Sequence, residues 1–184
     1  ESYITNDTEV YEQSYITDPA YPYWLIYRNN SFDSVADKMT FDIFKVYRDR
    51  LITKAITKPN GKFRVLKSRN IGNNEIVNID GYDSYIDDIN SLDVSKFLNQ
   101  ENCVLVPNLT YNPRACMLPT GCIADGSVAI LTLKNTNTKV STEDLAFYAT
   151  SQFNEFYAIA RNRGTRSLNI DNNSVFFFGK LKHA

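Results

Sequence analysis

The stretch "PNLTYNPRACMLPTGC", residues 107–122, gathers more chemistry than a connector needs: three prolines, two thiols, one guanidinium and the polar group Asn108, Tyr111, Asn112. Three kinds of chemistry are conceivable for it: nucleophilic catalysis by a cysteine, a metal or disulfide cluster, or a surface that reads another molecule. The first two find little else in the chain to work with. Cys103, Cys116 and Cys122 are an odd number, CxxC spacing is absent, and the single histidine, His183, stands one residue from the end. A disulfide framework or a zinc site needs more ligands in a regular pattern than this. The thiols are therefore expected to be reduced, cytosolic and packed as small apolar groups. A hydrolase using Cys116 or Cys122 would have only His183 as its base.

Other residues able to recognise a ligand cluster at the ends of apolar runs. Arg48 and Arg50 flank Asp49; Lys67, Arg69 and Asn70 follow "FRVL"; Arg161, Arg163 and Arg166 gather behind a helical pattern. Arginine and asparagine read purine edges through paired hydrogen bonds, while lysines and backbone amides hold phosphates. The charge is also segregated. Residues 1–40 carry a net −5, 41–70 a net +7, 71–102 a net −6 and 103–184 a net +3, within an overall −1. One reading is a set of solvated faces. The sharper one is a basic side that faces an anion, with acidic segments keeping the rest of the surface off it.

No nucleotide loop of the GxxxxGK[ST] or GxGxxG type is present, nor is HExxH or GxSxG. "DPAYPYW", from Asp18, approaches the Asp-Pro-Pro-Tyr motif of amino-methyltransferases, but Ala20 breaks it and it reads as a proline-bounded turn. No carboxylate pair is marked by its spacing for acid–base work. The chain by itself is not expected to be an enzyme.

The elements that must position these residues are legible in outline. At 184 residues, 43% hydrophobic and 22% charged, the chain has the size and composition of one globular domain. No apolar run approaches the roughly 18 residues of a membrane span, and the start has no signal-peptide pattern. Without an initiator methionine it reads as a piece of a longer protein. Residues 1–21 are expected to be a lead-in or linker, pinned after that by Trp24, Leu25 and Ile26. Ser31 is expected to cap a helix over "FDSVADKM", "FDIFKVYRDR" to form a strand, and Asn60-Gly61 to make a hairpin turn before a strand from Lys62. Residues 72–102 read as loop, with a short helix near "DVSKFLN". "CVLVPNL" and "GSVAILTLK" are apolar on both faces, as buried strands are. A helix of about 142–161 follows, capped by Ser141 or Thr142 and stopped by Gly164, and "SVFFFGKL" reads as a last strand. The fold class is α+β: a mixed, largely antiparallel sheet with one long helix and shorter ones.

"FDIFKVYRDRLITKA", "GKFRVLKSRNI", "VLVPNLTYNPRACMLPTGCIADGSVAIL" and "LAFYATSQFNEFYAIARNRGTRSLNI" resemble the C-terminal, TaqI-like target-recognition domain of type II restriction–modification adenine-specific DNA methyltransferases. The same order is similar to a recognition domain of type I restriction specificity subunits. The resemblance spans about residues 22–182. It implies a DNA target-recognition domain over 22–184 that grips double-stranded DNA and leaves methylation of a flipped-out adenine to a separate catalytic domain of the same parent chain. The cofactor, S-adenosylmethionine, would belong to that domain, with none in this fragment. Carried onto this sequence, the DNA-facing set is Arg48, Arg50, Arg69, Asn70, Asn108, Tyr111, Asn112 and Arg114. Lys67, Arg161, Arg163 and Arg166 extend it. Arg114→Ala is then expected to slow methylation by the parent at least tenfold, as ~1–3 kcal/mol per paired base contact implies. The alternative is a protein- or carbohydrate-binding module whose twelve tyrosines make an aromatic patch.

Overall fold

The computed structural model describes residues 10–108, 110–164 and 167–182. Among them are four α-helices and nine strands in three sheets, an α+β arrangement in which all pairings but one are antiparallel.

The doubly apolar strands explain the layering. β5 (Cys103–Pro107) and β8 (Val128–Leu133) pair antiparallel at the middle of a four-stranded sheet. Its edges are β2 (Phe44–Tyr47), beside β8, and β6 (Cys116–Met117), beside β5. Side chains alternate across a strand. Val104, Val106, Ala129 and Leu131 therefore enter one core, and Cys103, Leu105, Val128 and Ile130 the other.

The first core is covered by α2 (Asn30–Ala36), α3 (Thr142–Tyr148) and α4 (Ser151–Ala160). The second is covered by a three-stranded sheet of β4 (Ser84–Ile86), β3 (Phe63–Leu66) and β7 (Cys122–Ala124), with β3 and β7 parallel. A 3-10 helix over Asp93–Phe97 adds Val94 and Phe97 to it. A two-stranded ribbon joins β1 (Met39–Thr40) to β9 (Lys180–Leu181).

Several expectations are revised, each for a local reason. The helix expected over 142–161 is two helices. Thr150 takes an extended backbone, and its hydroxyl accepts from the Phe153 amide, so it caps α4 while Ala149 ends α3. The break lets Tyr148 and Phe153 both reach full burial. Ser141 caps α3 as expected, in a reciprocal box with Asp144. α2 is capped by Asn29, whose side chain accepts from the Phe32 amide, and not by Ser31.

"SVFFFGKL" is mostly a 3-10 turn over Ser174–Phe177, because alternation in a strand would expose part of a Phe-Phe-Phe run, whereas the turn buries Phe177 and Phe178 together. Asn60-Gly61 does not join paired strands: Lys58 and Phe63, on its two sides, both pair with the β4 region, at Tyr85 and Ile86. β4 itself falls inside residues 72–102, which read as loop.

The start of the described chain is stitched to the domain. α1 (Gln13–Ile16) leads to Asp18, and the Arg28 guanidinium donates to the Tyr15 carbonyl, Asp18 and Asp33 at 2.8–2.9 Å. Leu25 is fully buried, but Trp24 and Ile26 stand 64% and 62% exposed, so Leu25 anchors here together with Tyr21 and Tyr23, which pack on Phe177.

Candidate nucleic-acid interface

Strand directions bring the expected loops to one rim. Tyr47 faces Ile130 and Pro107 faces Val128, so β2 and β5 end where β8 begins. Leu66 faces Ala124 in the parallel pair, so β3 and β7 end there as well. The segments 48–50, 67–70 and 108–114, which follow β2, β3 and β5, thus leave the fold on the same side.

Ser127 ties them together. Its carbonyl accepts from the Asn108 amide at 2.9 Å and the Ser68 hydroxyl at 2.6 Å, while its hydroxyl accepts from the Ser68 amide at 3.0 Å. That hydroxyl donates in turn to Asp125 at 2.6 Å. Arg48 reaches the Gly126 carbonyl at 3.4 Å. The segment behind α4 joins the same rim: the Leu168 amide donates to the Thr110 carbonyl and the Asn169 amide to the Asn108 carbonyl, both at 3.0 Å. The residue types at strand ends pointed to these loops. Ser127 and Thr110 carried no signal of their own beyond lying beside Gly126 and within the 107–122 loop.

Juxtaposed loops do not make every side chain available. Asn70 is fully buried; its amide donates to the Val77 carbonyl and Asp83, and its carbonyl oxygen accepts from the Lys67 amide. Asn108 is fully buried too, its oxygen accepting from the Ile170 amide at 2.6 Å. Arg114 donates to the Ile71 carbonyl at 2.6 Å, the Thr110 hydroxyl at 2.9 Å and the Ser68 carbonyl at 3.1 Å. Burial pulls its pKa below the usual arginine value. These three residues hold the loops in place.

Arg161 is paired with Asp171 at 2.9 Å, and Arg163 with Glu155. Arg166 lies outside the described residues, as does His183. What the rim presents to solvent is Arg48, Arg50, Arg69, Tyr111 and Asn112, with Tyr111 67% exposed. Arg69 stacks on Tyr82 at 4.7 Å and Lys67 on the same ring at 3.9 Å.

The charge blocks have a different outcome from the one the sharper reading expects. Much of the acidic 71–102 segment lies against the basic 41–70 segment: Arg64 pairs with Asp83 at 2.7 Å and Lys58 with Asp87 at 2.8 Å. The two blocks partly neutralise each other, and Arg48, Arg50 and Arg69 at the rim are among the cations left over.

The cysteines are free and buried. Burial pushes the Cys103 thiol up to about 11, and burial with neighbouring Cys122 pushes Cys116 up to about 12. Thiolates are the reactive form. Iodoacetamide at neutral pH is therefore expected to label the folded protein far more slowly than free cysteine, and all three thiols at once in urea; rapid labelling of Cys116 or Cys122 in the native state would restore them as nucleophile candidates. No group of three or more metal-ligating side chains occurs among the described residues. No helix among them is long and apolar enough to cross a membrane. The chain matches no protein-family model, and no curated protein is significantly similar to it.

Proposed function

We propose that this chain is a target-recognition domain that binds double-stranded DNA and positions it for a separate adenine-methylating domain of the same parent protein. The observation that carries the reading is the meeting, at one rim, of three strand-end loops whose exposed side chains are Arg48, Arg50, Arg69, Tyr111 and Asn112. Arginine forks and an amide beside an aromatic are suited to base edges and phosphates. The scaffold beneath them is fixed by buried Asn70, Asn108 and Arg114, which suits a surface that must hold its geometry while reading. On this reading S-adenosylmethionine and any catalysis would belong to the companion domain. Within this chain the role is recognition.

The test is fluorescence anisotropy with a 40-base-pair duplex of mixed sequence. Binding by the intact chain is expected to be weak at a net charge of −1 and to fall steeply as salt rises, since phosphate contacts release counterions. The Arg48→Ala, Arg50→Ala double variant is expected to bind about tenfold more weakly, the loss of roughly one good charged contact. Binding that ignores salt would favour the aromatic protein- or carbohydrate-binding alternative. No binding to any duplex, by the chain or its parent, removes the proposal.

A further inference from the structure

Beside the rim runs a groove of about 1290 Å³. One wall is the segment from Ile52 to Asn60, which continues directly from the Arg48–Arg50 turn; the other is the 78–85 loop, and Val65 and Lys67 lie between them. The walls join where Lys58 and Tyr85 exchange backbone hydrogen bonds at 2.8 Å. The groove is larger than a typical small-molecule pocket and is open to solvent.

It is lined by Lys54, Lys58 and Lys67 and by Asp80, Asp83 and Asp125, of which Lys58, Asp83 and Asp125 are bound to other side chains. Lys67, whose ammonium also donates to the Tyr82 carbonyl, and Arg69, which stands beside the groove, converge on the ring of Tyr82, and neither has a carboxylate partner among the described residues. Two of the three groove carboxylates are engaged elsewhere: Asp83 by Arg64 and Asn70, Asp125 by Ser127. Lys54, on the opposite wall, is exposed and likewise has no ion-pair partner there. Two cations held against one aromatic ring repel each other, and an anion placed between them relieves that repulsion.

We infer that this groove is the track for a DNA sugar–phosphate backbone running off the flank of the recognised base pairs, with Lys67 and Arg69 holding one phosphate over Tyr82 and Lys54 holding another. This rests on the reading of the rim as a DNA-binding surface and assigns it a second, sequence-independent part. The tyrosine ring holds the two cations beside each other. Asp80, exposed on the same groove with no partner among the described residues, opposes the strand and sets a ceiling on affinity.

The experiment uses the full chain and the same mixed-sequence 40-base-pair duplex, titrated at several sodium chloride concentrations. Lys54→Ala is expected to weaken binding and to make the slope of log affinity against log salt shallower by about 0.9, the value of one phosphate contact. Asp80→Asn is expected to do the opposite, tightening binding two- to threefold at low salt (by roughly the strength of one exposed charge interaction). Both residues are exposed, so neither variant is expected to change the unfolding midpoint. If Lys54→Ala and Asp80→Asn leave affinity and slope unchanged while the Arg48/Arg50 variant still weakens binding, the groove assignment is overturned and the rim stands. If the wild-type chain shows no salt-dependent duplex binding at all, the rim reading falls and takes the groove with it.

Discussion

Arg114→Ala is expected to unfold this chain at a clearly lower urea concentration than wild type, with a loss of about 3 kcal/mol, and any weakening of DNA binding is expected to follow from that loss. The guanidinium bridges one segment more than forty residues upstream to its own loop: Ser68 and Ile71 on one side, Thr110 on the other. Truncation leaves the Ile71 carbonyl facing a cavity in a partly buried site, and a charged donor to a carbonyl is worth ~1.5–3 kcal/mol before the others are counted. Arg114→Lys should recover less than half of the loss, since one ammonium cannot span three acceptors laid out for a planar fork. The reading that takes Arg114 as a base contact expects a different pattern: unchanged stability, with binding or methylation cut tenfold. Urea unfolding followed by far-UV circular dichroism, beside anisotropy on the same variants, separates the two. A wild-type midpoint for Arg114→Ala would return Arg114 to the reading surface.

How much of this was visible beforehand depends on the range of the interaction involved. "CVLVPNL" and "GSVAILTLK" announced central strands because burial on both faces removes the polar alternation, and the two lie at the middle of the sheet. The start of α3 was visible at Ser141 or Thr142 because a cap and the turn it closes are neighbours in sequence, and Ser141 is the one that caps. The break at Thr150 was hidden inside a continuous apolar periodicity. What decides it is the simultaneous burial of Tyr148 and Phe153, which no local pattern displays. β4 was hidden because pairing with β3 and with Lys58, distant in sequence, makes a strand of an aspartate-rich stretch.

The site divides in the same way. Residue type at strand ends located the loops, since recognition chemistry and loop position are both local features. Whether an arginine or asparagine on such a loop faces outward is decided by acceptors far along the chain. For Arg114 these are at Ile71 and Ser68; for Asn108 it is Ile170. Composition alone treats Arg114 and Arg69 alike, yet one is bound within the scaffold and the other stands at the surface over Tyr82. The charge blocks fail for the same reason. Arg64 and Asp83 stand nineteen residues apart and looked like members of two separate faces, but they form one ion pair.

Gly126→Ala is expected to be the most damaging of the single-methyl changes near the rim, costing about 3 kcal/mol. Its backbone is not in the left-handed region, so the constraint is space: a methyl group there falls well inside van der Waals contact of the Asp49 carbonyl oxygen, a backbone atom that cannot swing aside. Asp49 is itself held, because its carboxylate accepts from the Leu51 and Ile52 amides at 2.8 and 2.6 Å and closes the turn that carries Arg48 and Arg50. Relief requires the 125–127 turn to move away from the 48–52 turn. That movement breaks the Arg48 contact with the Gly126 carbonyl and shifts Ser127, to which both Ser68 and Asn108 are bound. Binding should therefore fall with stability, and should not recover at low temperature where the variant is folded. Gly81→Ala is the matched control. Gly81 has a φ of +68° with open space around its Cβ position, so its replacement carries only the left-handed backbone cost of ~1 kcal/mol. Urea midpoints for the two variants decide the matter: equal losses would mean that the Asp49–Gly126 approach does not hold the rim together, and a loss at Gly126 two or more times that at Gly81, with weaker duplex binding at 10–20 °C (roughly the temperature of maximum stability), would mean that it does.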